Sequence, residues 1–446
     1  MDLTNLYALS ATDAARMIRD GVISSEQYVG ACLARIREVD GEVQAWTFLD
    51  PDYALAQARA RDEYRLTGQP IGPLHGVPVG LKDIIDTADM PTENGSVLHA
   101  GRTPSRDASV VSMLRGAGAV IMGKTVTTEF ATRSPGKTRN PHDAAHTPGG
   151  SSSGSAAAVA AGMVPLALGS QTTGSTIRPA SYCGVYGFKP THGLIPRHGM
   201  WQLSRTLDHV GLFARTVEDI ALLMEVLVGH DERDPDTRPR AGVPYRAIAA
   251  DEPPLTPLFA FVKTSLWERV DADAKAAFTE LVEHLGKQVE EVELINTADE
   301  FLAWHEAVSG PEVALSLRRE WEHGRDRLSA ALRSRIERGR SVAALDYVMA
   351  LARIPALNAS LVELFEQRYD AILTAPAFGT APAGLESTGD PAMCALWTLC
   401  GMPALSLPLM RGANGLPLGV QLVGPRGGDA RLLRTARWLT KSIGTA

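Results

Sequence analysis

The chain is poor in cysteine, carries no excess of positive charge and has no long unbroken apolar run. Its four cysteines, Cys32, Cys183, Cys394 and Cys400, have neither zinc-ligand spacing nor the density of a disulfide framework. They read as buried reduced thiols, which points to a cytoplasmic protein. No basic stretch followed by an apolar one opens the sequence, so no signal peptide is expected. The longest apolar run, residues 156–168, is interrupted by Gly162 and Pro165 and is shorter than the roughly 18 residues a membrane span requires, so no membrane is expected as a partner. Lys and Arg total 44 against 51 Asp and Glu, a net charge of −7 that lacks the basic footprint of nucleic-acid binding. None of the eleven histidines has metal-ligand spacing, so no metal is expected. His75, His146 and His209 read as structural.

What is present is an ordinary globular composition, 45% hydrophobic and 21% charged, which excludes a mainly disordered chain. Apolar spacing predicts helices over 9–39 and 53–66, then a short buried strand over 76–81 that leads into Lys82-Asp83. A helix over 109–116 and a strand over 119–124 continue the alternation. A small-residue helix over 156–162 and a strand over 166–168 follow, then a helix over 216–227. Residues 229–257 are polar and proline-rich, and 271–370 read as helical. Strand patterns return at 371–373, 404–407 and 419–423, and a last helix covers 429–443. The expected fold is α/β: a large mixed, mostly parallel twisted sheet with helices on both faces.

Three segments carry chemical information. The first, residues 74–83, ends an apolar strand in Lys82. Burial disfavours the ammonium form, which makes a neutral lysine base feasible there. Asp83 beside it reads as a structural partner or cap. The second, residues 148–155, holds seven consecutive Gly and Ser residues, yet it lies between regular elements rather than in a linker. The third is Gln171-Thr172-Thr173-Gly174-Ser175-Thr176-Ile177-Arg178. Glycines let backbone N–H groups approach a substrate, and a serine among them can be a nucleophile beside an oxyanion hole. The loops lack the Walker and dinucleotide-binding patterns, and no Gly-x-Ser-x-Gly elbow is present. On the residues alone, Ser151, Ser152, Ser153, Ser155, Thr172, Thr173, Ser175 and Thr176 all remain candidate nucleophiles.

Taken in this order, the three segments resemble the amidase signature family. Lys82 precedes Ser151 by 69 residues, and Ser151 precedes Ser175 by 24. The resemblance extends over most of the chain, through 118–125, 184–190, 401–404 and 415–421. It implies one unit over 1–446, with a signature core at about 70–225, a variable helical region at about 229–370 and a sheet-completing part at about 370–446. It also implies a Ser–cis-Ser–Lys triad. Ser175 would be the nucleophile, Ser151 the bridging serine after a cis peptide bond, and Lys82 the base. The N–H groups of Thr172, Thr173, Gly174 and Ser175 would form the oxyanion hole. Gln171 stands where the family has an acidic residue, and Thr173 where it often has Gly. Two residues rather than one separate Ser175 from Arg178. This pattern is similar to the malonamidase-type branch, in which the arginine meets a substrate carboxylate. Gln171 and Arg178 are therefore expected at the substrate, the alternative for Arg178 being an ion pair with Asp208.

The expected activity is hydrolysis of C–N bonds in amides, anilides or carbamates (urethanes), with esters as side substrates and no cofactor. The partner implied is a small-molecule amide or carbamate, and a homodimer is left open. Two alternatives share the resemblance: the A subunit of a glutamyl-tRNA amidotransferase, and a non-catalytic binding module on the same fold. The intact Lys82, Ser151 and Ser175 argue against the second.

Overall fold

The computed structural model describes residues 5–294 and 300–444, so the stretch 295–299 of the expected helical region lies outside the described residues. Eleven strands form one sheet: β1 (Trp46–Leu49), β2 (Pro78–Lys82), β3 (Val120–Thr125), β4 (Leu166–Gln171), β5 (Tyr186–Lys189), β6 (His209–Ala214), β7 (Phe259–Val262), β8 (Val289–Val292), β9 (Ala371–Thr374), β10 (Ala404–Arg411) and β11 (Pro417–Val423). Their order across the sheet is β1-β3-β2-β4-β6-β5-β10-β11-β9-β7-β8.

Strand side chains alternate between two apolar layers. In β3, Ile121 enters one cluster and Val120 and Met122 the other. In β4, Leu166 and Leu168 face the first and Ala167 the second. Both faces are thus covered, which is why these strands read as continuous apolar runs. On one face lie the helices Ala11–Arg19 and Ser25–Val43 and the small-residue helix Ser153–Ala160, while Val217–Leu227, Ala392–Leu399 and Asp429–Ser442 contribute to the larger cluster.

The α/β class and the covered mixed sheet match expectation, but the sheet is not mostly parallel. Among the described residues, only β2 with β3, β2 with β4, β7 with β8 and β7 with β9 run parallel. The centre, β4-β6-β5-β10-β11-β9, is antiparallel throughout. One reason is connection length: β10 and β11 are joined by 412–416, enough for a hairpin and too short for a parallel crossover.

Among the described residues, one helix segment, Ala344–Glu366, is long and apolar enough to cross a membrane by length and composition alone. Scattered polar residues, Asp346, Arg353 and Asn358 among them, kept it from reading as an apolar run. It packs Ala350, Leu357, Leu361 and Phe365 into the main core cluster.

For the site, the important feature is the parallel trio β3-β2-β4. Lys82 ends β2, and Ser170 and Gln171 end the neighbouring β4. Open α/β sheets bind ligands outside the carboxyl ends of such strands.

Candidate active site

Lys82 is fully buried. Its Nζ lies 2.6 Å from Ser151 Oγ and donates to Ser170 Oγ at 2.8 Å. Burial lowers its pKa from 10.5 to about 7, against the opposing pull of the Asp208 carboxylate. A neutral amine is therefore well populated at neutral pH, and its lone pair can take a proton from a hydroxyl. Asp83 acts as a local cap, as expected: its carboxylate accepts from the N–H groups of Glu93 at 3.1 Å and Gly95 at 3.4 Å.

Ser151 follows a cis peptide bond to Gly150 and is buried. It precedes the helix Ser153–Ala160, which returns the chain to β4. A Cβ at Gly150 would lie 2.7 Å from Thr388 Cγ2, so only glycine allows this approach.

The turn between β4 and the helix Ile177–Cys183 is held by its carbonyls. Thr172 O accepts from His305 Nε2 at 3.1 Å, Thr173 O from Thr398 Oγ1 at 2.7 Å, and Gly174 O from Arg178 N at 3.1 Å. The Thr172 hydroxyl donates to Asp208 at 2.6 Å. By contrast, the N–H groups of Thr172, Thr173, Gly174 and Ser175 reach no acceptor among the described residues. A turn with satisfied carbonyls and open N–H groups is suited to an anion. Ser175 is partly exposed, and its hydroxyl has no hydrogen-bond partner among the described residues. Lys82 and Ser151 are thus joined directly, while Ser175 stands free on the neighbouring turn. Gly174 packs closely there: a Cβ would meet Pro391 Cβ at 3.0 Å and Cys394 at 3.2 Å.

Gln171 is committed to the protein at both ends. Its Oε1 accepts from the N–H groups of Thr176 (2.8 Å) and Ile177 (3.0 Å), and its Nε2 donates to Thr398 Oγ1 (3.0 Å). It caps the helix that follows the turn, so the expectation of Gln171 at the substrate gives way to a local structural one. Arg178 does not pair with Asp208. That carboxylate is taken up by Thr172 and by the N–H groups of Leu203 (2.7 Å) and Ser204 (3.0 Å). Arg178 is buried, and its Nη2 donates to Gly150 O at 2.7 Å and to Thr388 Oγ1 at 3.1 Å. Burial lowers its pKa.

A cavity of about 700 Å³ adjoins this turn. Thr173 and Thr388 lie on its wall, together with His305, Arg133 and Arg335. His75, by contrast, bonds Arg61 O at 2.8 Å, and His209 bonds Leu207 O at 2.6 Å.

The sequence reading missed Ser170, Thr388, Thr398 and His305. Only Ser170 left a trace, as a hydroxyl at the end of the strand next to Lys82. The other three reach the site from segments more than a hundred residues away.

The amidase family model matches residues 27–433. The chain belongs to the amidase family. It is 34% identical to the A subunit of the glutamyl-tRNA(Gln) amidotransferase of Chloroflexus aggregans, over 97% of this chain and 96% of that one. It superposes with a TM-score of 0.91 and 27% identity on a structure described as "an unexpected vestigial protein complex" that "reveals the evolutionary origins of an s-triazine catabolic enzyme", covering 98% of this chain and 99% of that one. On the native peptide amidase of Stenotrophomonas maltophilia the TM-score is 0.85 at 28% identity, covering 97% and 96% of the two chains. As an amidase-family member the chain is a C–N hydrolase by family.

Proposed function

We propose that this amidase-family enzyme cleaves amide-type C–N bonds through an acyl-enzyme on Ser175, with Ser151 as the bridging hydroxyl and Lys82 as the base. Carbamates and anilides fall within the same chemistry. The observation that carries the reading is the buried Lys82 Nζ within 2.6 Å of Ser151 Oγ, with its pKa lowered to about 7. Neutral Lys82 takes the Ser151 proton, and Ser151 takes that of Ser175. Ser175 Oγ attacks the carbonyl, and the oxyanion is met by the open N–H groups of 172–175. The amine leaves with a proton returned through the relay, and water then hydrolyses the ester. Ser170 Oγ accepts one N–H of Lys82 at 2.8 Å, which orients the lone pair of the neutral amine toward Ser151. No step uses a cofactor.

Arg178 fits a positioning role, since its Nη2 links the backbone before Ser151 to Thr388 on the cavity wall. The malonamidase-like reading is supported by the 171–178 pattern and by Arg178 Nε and Nη1, which are buried with no hydrogen-bond partner among the described residues. A second reading, the A subunit of an amidotransferase, is favoured by the identity to that relative along nearly the whole chain. In that case the ammonia released would serve a partner protein. The two readings separate on purified material: stand-alone turnover of simple amides supports the hydrolase, and glutamine-specific turnover that needs a co-purifying protein supports the amidotransferase. Ser175→Ala should abolish turnover across amides, anilides, carbamates and esters while the protein stays folded. Retention of more than about a hundredth of the activity would move the nucleophile elsewhere, because losing a nucleophile costs far more.

A further inference from the structure

We infer that a second cavity, walled by Arg318, Arg319 and Arg327, is an effector site for a small, multiply charged anion, and that the bound anion steadies the turn against which Ser151 is held.

This cavity, of about 790 Å³, shares no lining residue with the one beside Thr173 among the described residues. Leu98, His99 and Trp201 form its floor, and the helix Arg318–Gly324 with Arg327 after it forms one wall. The helix lies directly on the floor: a Cβ at Gly324 would stand 2.4 Å from Leu98 Cδ2. Its volume suits a small-molecule ligand.

The wall is cationic, in a chain whose net charge is −7. Arg102 is committed to Asp86, each Nη lying 2.8 Å from a carboxylate oxygen. Arg318, Arg319 and Arg327 are exposed, and their guanidinium groups have no ion pair or hydrogen bond among the described residues. Glu320 is the one carboxylate on the wall, and it is turned inward: one oxygen lies 3.1 Å from His99 Nε2, and the other is buried. On the floor, Trp201 Nε1 is a buried donor without an acceptor. Three guanidinium forks with unmet N–H groups around one concavity match the oxygens of a phosphate or carboxylate anion and focus their field on it.

The floor is also one side of a strained turn. Phe130 and Ala131 are consecutive non-glycine residues with φ of 45° and 56°, a conformation that persists only where its surroundings enforce it. The enforcing groups are those of the floor. His99 and Trp201 pack on Phe130 at ring distances of 5.0 and 5.2 Å, and Phe130 donates its N–H to Asn94 O at 2.8 Å. Asn94 Nδ2 in turn lies 2.8 Å from His99 Nδ1. Two residues before Phe130, Thr128 donates its N–H to Ser151 O at 3.3 Å. An anion that draws the helix Arg318–Gly324 onto the floor therefore clamps the packing that enforces the turn, and favours the state in which Ser151 is held.

The test titrates the full-length protein calorimetrically with pyrophosphate and with citrate at constant ionic strength, so that screening alone gives no signal. Hydrogen exchange over 126–134 and kcat on one neutral amide are followed with and without each anion; the kcat arm rests on the amide-hydrolase reading above, and the other two do not. At least one anion should bind with a Kd below about 1 mM. It should slow exchange in the turn and raise kcat by about twofold or more. The triple variant Arg318→Gln/Arg319→Gln/Arg327→Gln changes exposed side chains only. It should keep the basal kcat and melting temperature, bind about tenfold or more weakly, and lose both responses. Tighter binding of pyrophosphate supports a phosphate effector, and tighter binding of citrate a polycarboxylate one. Absence of binding, or equal binding by the triple variant, overturns the site. Binding that leaves exchange in the turn unchanged overturns the effector role. If the anion binds and slows exchange while no amide turns over, the hydrolase reading fails and the site stands.

Discussion

Replacing Lys82 by methionine separates what the lysine does for chemistry from what it costs the fold. The side chain is fully buried, and its pKa falls from 10.5 to about 7 because the charged form is desolvated. Between about pH 7 and 10.4 the unfolded chain therefore binds more protons than the folded one, and stability rises with pH across that window. At about 1.4 kcal/mol per pH unit, the burden at pH 7 is about 4 kcal/mol. The contacts with Ser151 and Ser170 return about 1 kcal/mol each. Lys82→Met, of similar length and apolar, should thus be inactive yet more stable than wild type by about 2 kcal/mol at pH 7. Near pH 9.5 the burden shrinks to about 1 kcal/mol, and the lost hydrogen bonds should cancel or reverse the gain. Urea unfolding of both proteins at the two pH values reads this directly. A difference that does not change with pH, or a variant less stable at pH 7, would refute the argument.

Three further outcomes follow from the same geometry. Wild-type kcat/KM should rise with pH along a limb with an apparent pKa of about 7, far below a free lysine, because the base acts only when unprotonated; Lys82→Arg should be inactive because guanidinium stays charged. Arg178→Leu should lower kcat for acidic and neutral amides alike and reduce the melting temperature, since its bonds go to Gly150 O and Thr388; a loss confined to acidic substrates, measured on the same panel, would return it to carboxylate binding. Gly174→Ala should reduce kcat strongly with little change in fold, because its Cβ would press on Pro391 and Cys394 and shift the open N–H groups; a kinetically normal variant would argue against an oxyanion role for that turn.

Much of the parallel half of the sheet was legible in the sequence. β2, β3 and β4 are buried on both faces and read as short apolar runs, so Lys82 could be seen at a strand end. The antiparallel centre was less visible. β5 and β6 carry Lys189 and His209 together with glycines, and their pairing is a tertiary fact that no local pattern reports. β1, β7 and β8 are four residues each, too short to stand out from helical neighbours. At the site, Ser151 and Ser175 were singled out only through the family resemblance, and the structure joins the first of them to Lys82. The hydrogen bonds of Gln171 to Thr176, Ile177 and Thr398 were not legible, because these partners meet it only when the turn is folded.

The central claim is that Ser175 becomes acylated. Its most direct measurement is rapid quenching of the enzyme with a slowly deacylating aryl ester or anilide, followed by intact mass and peptide mapping. One acyl group per chain is expected, located on Ser175, and it should fail to form in Lys82→Ala and Ser151→Ala. An acyl group on Ser151 or Thr176, or turnover through a burst with no covalent adduct on any residue, would contradict it.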